Sequence, residues 1–154
     1  MYTKILVPLD GSKLAESVLP YVKWFIKVSD VNEIVFLRVV EPFHVAGGIE
    51  TTIIPEEREH IEQDAVKLAK KYLNNIAGRF RDGSIKITSI VMIGKPARVV
   101  ADYVAKSDVD LIIMATHGFS GIHRWVRGSV ADEIIHAALA PVFLVKPRDR
   151  PPDR

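Results

Sequence analysis

The chain has 154 residues, 48% of them hydrophobic and 26% charged, which suits one soluble globular domain with its own core. No apolar run approaches the roughly 20 residues of a membrane span, and MYTKILVPLDG lacks the basic start, long apolar centre and small-residue cleavage site of a secretory signal. A formal net charge of +2 gives no argument for nucleic acid, and the absence of cysteine excludes disulfide and thiolate chemistry and favours a reducing, cytoplasmic setting.

Taken in chain order, residues 3–9, TKILVPL, read as a short buried strand ended by Asp10-Gly11-Ser12. Leu14, Val18, Tyr21, Val22, Phe25 and Ile26 then recur at helical spacing on one face, with Pro20 interrupting the pattern. EIVFLRVV (33–40) is a second buried strand, and 41–55, with Gly-Gly and two prolines, is a long loop expected to be mobile. A long amphipathic helix is predicted from Glu56 to Ala77, with Ile61, Ala65, Leu68, Tyr72 and Ile76 as its apolar face. Its acidic residues come early and its basic ones late, as the helix dipole favours.

SIKITSIVMI (84–93) is a third strand; Gly94 ends it and Pro96 opens a helix through Val99, Val100, Tyr103 and Val104. VDLIIMAT (109–116) is a fourth strand, apolar on both faces at its centre. A glycine-punctuated basic loop follows, leading into a helix from Ser129 to about Leu139. APVFLVK (140–146) is the fifth strand. Residues 1–147 form one domain, and the charged, proline-rich 148–154 is expected to be a flexible tail.

Continuous apolar strands alternating with helices imply a parallel sheet covered on both faces, a three-layer α/β/α fold. In such sheets ligands bind beyond the carboxyl ends of the strands, where the strand order reverses. Two of these ends are chemically unusual. The loop after the fourth strand holds Gly118 and Gly121, which permit close backbone approach. Gly128-Ser129 then enters a helix whose first amides lack internal partners and attract anions. His117, His123, Arg124 and Arg127 add donors or positive charge, making a phosphate site of this loop or, on the blander reading, an ordinary cap. Trp125 reads as packing. At the end of the first strand, Asp10 would repel phosphate unless a divalent metal stood between them or it faced ribose; alternatively it makes only an Asx turn.

These residues together resemble the universal stress protein family over nearly the whole chain. ILVPLDGS is similar to its opening strand and loop, GKPARVVADYVAKSDVDLIIMATHG to its central helix and fourth strand, and GSVADEIIHAALAPVFLVKP to its closing helix and strand. The nucleotide-binding branch has Gly, two residues, Gly, nine residues, then Gly with Ser or Thr. Here Gly118 and Gly128-Ser129 keep that spacing, while Ala115 stands at the first glycine. The resemblance implies an adenine-nucleotide α-hydrolase-like sheet in the order 3-2-1-4-5 and a homodimer. It places Pro8, Leu9 and Asp10 on the first nucleotide loop, and Val39 where backbone hydrogen-bonds adenine. Met114, Ala115, His117 and Gly118 fall near ribose and phosphates, and Gly128, Ser129 and Val130 on the phosphate turn. Arg127 stands where an apolar residue is usual.

The expected function is therefore binding of ATP, AMP or ADP, with Mg²⁺ or Mn²⁺ at Asp10, by a cytoplasmic regulatory dimer that signals stress to an unknown protein partner. The fifth strand, 140–146, is an uncharged apolar edge, and pairing with its copy would close it. A slow ATPase or phosphotransferase, or a dimer that binds no nucleotide, are the alternatives. The chain lacks the Walker and Rossmann glycine patterns, and the histidines His44, His60 and His136 read as surface or packing residues.

Overall fold

The computed structural model describes residues 2–42, 55–80, 83, 85–116 and 130–146. Its elements are β1 (Lys4–Pro8), α1 (Lys13–Glu16), α2 (Leu19–Val28), β2 (Glu33–Val40), α3 (Pro55–Gly78), β3 (Lys86–Ile93), α4 (Pro96–Lys106), β4 (Leu111–Ala115), α5 (Val130–Ala137) and β5 (Val142–Val145). The five strands form one sheet in the order β3-β2-β1-β4-β5, and every pairing is parallel. The expected fold and strand order are both present.

Side-chain alternation splits the core into two layers. On the back face Ile5, Val7, Ile34, Phe36, Leu111 and Ile113 pack against Val22 and Phe25 of α2 and Leu73 and Ile76 of α3. On the front face Leu6, Val35, Leu37, Ile112 and Met114 pack against Val100 and Val104 of α4 and Ala131 and Ile134 of α5. Ile5, Leu6, Val7 and the run from Ile34 to Leu37 are fully buried. Burying a side chain of this size contributes about 1.5–3 kcal/mol, so the central strands contribute substantially to both layers.

The first predicted helix is two. Pro20 has no N–H to reach the carbonyl of Glu16, so the helix cannot run through. α1 closes after one turn, with Ser17 N donating to Leu14 O at 3.0 Å, and α2 restarts with Pro20 in its first turn, where an N–H is not needed. Tyr21 consequently lies 43% exposed rather than in the core.

The apolar face predicted for α3 is also corrected. Ile61 and Leu68 are exposed, and the buried stripe is Ala69, Leu73, Ile76 and Ala77. Length explains this. A helix of 24 residues is about 36 Å long, whereas the eight-residue strands β2 and β3 beneath it span about 26 Å. Only the second half of α3 lies over the sheet.

Strand bounds fall one to two residues inside those expected for 3–9, 84–93, 109–116 and 140–146, except that the third strand ends at Ile93 as expected. At the amino ends of the strands a set of polar contacts ties neighbours together. Asp110 Oδ2 accepts from Thr3 N (2.9 Å), Thr3 Oγ1 (2.6 Å) and Lys4 N (2.8 Å). Glu33 meets Lys4 at 3.6 Å and Lys86 at 3.0 Å, and accepts from Thr88 Oγ1 at 2.7 Å.

Candidate functional site

From β1 the chain steps outward to β2 and β3, then returns to lay β4 and β5 on the other side, so the order reverses between β1 and β4. Pairing between those strands stops at Leu6↔Ile112, although β1 continues to Pro8 and β4 to Ala115. The two strands part over their last residues, and a cavity of about 420 Å³ opens there on the front face.

Each wall has a local cause. Pro8, Leu9 and Asp10 come off the end of β1, with Leu14 and Ala15 of α1 behind them. Leu37 and Val39 enter from β2 because they share parity on the strand. Pro96 and Val100 come from α4, whose start is set by the turn at Gly94; its φ of +148° and the 2.8 Å from a built Cβ to Val99 Cγ2 both require glycine. Met114, Ala115 and Thr116 close the β4 side, and Val130, Ala131 and Ile134 of α5 cover the top. Among the described lining residues, Asp10 is the one charged group. The body of the cavity is apolar, which suits a flat heteroaromatic ring more than a bare anion.

The first loop is held by its own side chains. Ser12 N donates to Asp10 Oδ1 at 2.8 Å, and Ser12 Oγ accepts from Ala15 N at 3.0 Å as the cap of α1. Asp10 thus makes the Asx turn, while its second oxygen has no partner among the described residues. Gly11 takes φ +87°, a conformation glycine adopts freely.

Backbone direction at β2 bears on the same space. Leu9 N donates to Leu37 O at 2.8 Å, so the carbonyl of Leu37 faces β1. Alternation turns the N–H and C=O of Val39 the same way, two residues beyond the pairing of Leu37 with Pro8, the last residue of β1.

Of the residues singled out in the sequence, Pro8, Leu9, Asp10, Val39, Met114, Ala115 and Val130 line this one cavity. His117, Gly118, Arg127, Gly128 and Ser129 lie outside the described residues. Leu37, Pro96, Val100, Ala131 and Ile134 line it without having been singled out. Parity with Val39 would have pointed to Leu37, and the Gly-Lys-Pro turn after β3 to Pro96. His60 and His136 are surface groups whose Nδ1 atoms lie 2.7 Å from the carbonyls of Glu56 and Asp132, each four residues earlier on its own helix.

For a divalent cation, the described residues offer no cluster of three ligating side chains. A lone carboxylate at the rim still fits Mg²⁺ or Mn²⁺, because these ions keep waters and are shared with phosphate oxygens. Among the described residues no helix is long and apolar enough to cross a membrane.

Comparison with known proteins agrees with the geometry. The family model described as the universal stress protein family matches residues 1–146. Universal stress protein MJ0577 of Methanocaldococcus jannaschii is 29% identical over 157 residues, covering 95% of this chain and 96% of its own. The solved structure of MJ0577 superposes with a TM-score of 0.78 at 28% identity, covering 97% and 99% of the two chains. A universal stress protein in complex with cAMP matches with a TM-score of 0.66 at 16% identity, over 94% of this chain and 97% of that one. The Arabidopsis thaliana family protein At3g01520 with AMP bound matches with a TM-score of 0.64 at 16% identity, over 96% and 93%. The chain belongs to the universal stress protein family.

Proposed function

We propose that this protein binds an adenine nucleotide, ATP or AMP, in the cavity between the ends of β1 and β4, and that it acts as a homodimeric regulatory protein of the stress response in the cytoplasm. The observation that carries this reading is the cavity itself: an apolar body of about 420 Å³ at the switch point, with one carboxylate at its rim. That two structures of the same fold hold cAMP and AMP supports an adenine ligand.

In this reading the adenine lies among Val39, Pro96, Val100 and Met114, and the backbone of Val39 reads its edge. Asp10 faces the ribose, or the phosphates through Mg²⁺ or Mn²⁺, whose charge would relieve the repulsion between carboxylate and phosphate. Gly118, Gly128, Ser129 and Val130 cradle the phosphates, with Ala115 replacing a glycine and His117 and Arg127 adding donors. The first amides of α5, at Val130 and Ala131 on the cavity wall, favour the same placement.

The dimer forms through strand 140–146. β5 is the sheet edge, and Leu144 on it, with Ile135 and Leu139 on the neighbouring α5 segment, exposes apolar surface there. Nucleotide occupancy would alter a surface read by a protein partner.

Native mass spectrometry of the purified protein, with calorimetric titration by ATP, AMP and GTP with and without Mg²⁺, tests the reading. Saturable binding of one adenine nucleotide per chain, tighter than GTP, is expected. Absence of binding at millimolar nucleotide would leave a dimeric interaction protein, and sedimentation equilibrium reads the dimer independently.

A further inference from the structure

Arg38 lies between Leu37 and Val39 of β2, whose side chains enter the cavity, so its own side chain points to the opposite, back face. There the guanidinium lies 5.4 Å from the Tyr72 ring of α3, and its Nε is buried with no hydrogen-bond partner among the described residues. The first loop is also close to it, and a Cβ added to Gly11 would run into the guanidinium. The guanidinium therefore lies close to both an aromatic ring and the bare Cα of Gly11.

We propose that Arg38 is a positioning residue: from the back of the sheet its guanidinium braces the Asp10–Gly11–Ser12 turn, and so fixes the rim carboxylate for a nucleotide–cation complex bound on the front. Arg38 does not line the cavity, and it acts only through the turn. The planar, permanently charged group suits this role, since it lies over the Tyr72 ring while its end reaches the turn at Gly11. The proposal rests on the nucleotide reading above.

Two measurements test it on the full chain. In the nucleotide-free protein, amide exchange by NMR should quicken at Ser12 and Ala15 in Arg38→Met, because their acceptors Asp10 Oδ1 and Ser12 Oγ belong to the turn. In calorimetry, Arg38→Met should weaken binding of ATP with Mg²⁺ about 10-fold, the scale of losing an outer support of a ligand group, and leave metal-free ATP within about twofold. Arg38→Lys should show a smaller loss of the same metal-dependent kind, and it carries the comparison if thermal melting shows Arg38→Met to be unfolded. Unchanged exchange, unchanged affinity, or equal losses with and without Mg²⁺ would each overturn the positioning role. If the unaltered protein binds no ATP, the nucleotide reading itself falls and takes this role with it.

Discussion

The two poles of the sheet use polar groups in opposite ways. At the amino pole two acids are fully engaged: Asp110 Oδ2 accepts three hydrogen bonds, and Glu33 meets Lys4, Lys86 and Thr88. At the carboxyl pole the strands part after Leu6↔Ile112, the walls are apolar, and the second oxygen of Asp10 at the rim has no partner among the described residues. Satisfied contacts bind strand to strand and leave nothing for a ligand. An open apolar gap with an unmet carboxylate oxygen at its rim leaves the pole able to receive one.

The largest expected effect breaks the open pole. Val39→Trp would place an indole in the cavity, lowering adenine-nucleotide affinity about 100-fold, or roughly 2.7 kcal/mol, without lowering the melting temperature. Calorimetry and thermal melting read the two arms; retained affinity would mean that the ligand lies elsewhere.

Next comes the closed pole. Asp110→Ala leaves two backbone amides and a hydroxyl without their charged acceptor, and should cost about 2 kcal/mol of unfolding free energy at neutral pH, with nucleotide affinity unchanged. The pH dependence sharpens this. The Thr3 hydroxyl and then the Lys4 amide hold the Asp110 carboxyl below its usual range. For Glu33, burial alone would raise the value, but the Thr88 hydroxyl, Lys86 and Lys4 outweigh it and the net shift is down. A carboxyl depressed by folding stabilises above its unfolded pKa, near about 4, and that contribution is lost as pH falls through the folded value. Urea unfolding from pH 7 to pH 3 should therefore show the deficit of Asp110→Ala shrinking toward acid.

The smallest effect lies at the alkaline end. Burial first, then the negative charge of Glu16, pushes the Tyr72 hydroxyl up to about 12. A raised phenol stabilises fully below its unfolded value of about 10, and that contribution is lost as pH rises toward the folded one. The ultraviolet titration of tyrosinate should lose its step near 12 in Tyr72→Phe, with affinity for nucleotide at neutral pH unaltered.

Much of this was legible in the residues. The β-branched runs around Leu6, Val35 and Ile112 mark strands buried on both faces, and Asp10 of the Asp10-Gly11-Ser12 turn lines the cavity. What could not be read depended on how long one element is relative to another. Ile61 and Leu68 fit a helical stripe, but Ile61 lies in the half of α3 away from the sheet, and Leu68, next to buried Ala69, is turned away from it around the helix. Leu37, Pro96 and Val100 look like plain core residues until the parting of β1 and β4 makes them walls. Arg38 reads as an unremarkable charge in VFLRVV, and its place beneath Gly11 follows only from the parallel register of β1 and β2.

The overhang of α3 has a mechanical consequence. With every buried residue of α3 lying between Ala69 and Ala77, the helix is a beam anchored chiefly at one end. Its free half is held mainly by its own backbone hydrogen bonds, so thermal agitation should unwind it from Pro55 inward and stop near Ala69, well before the strands beneath let go.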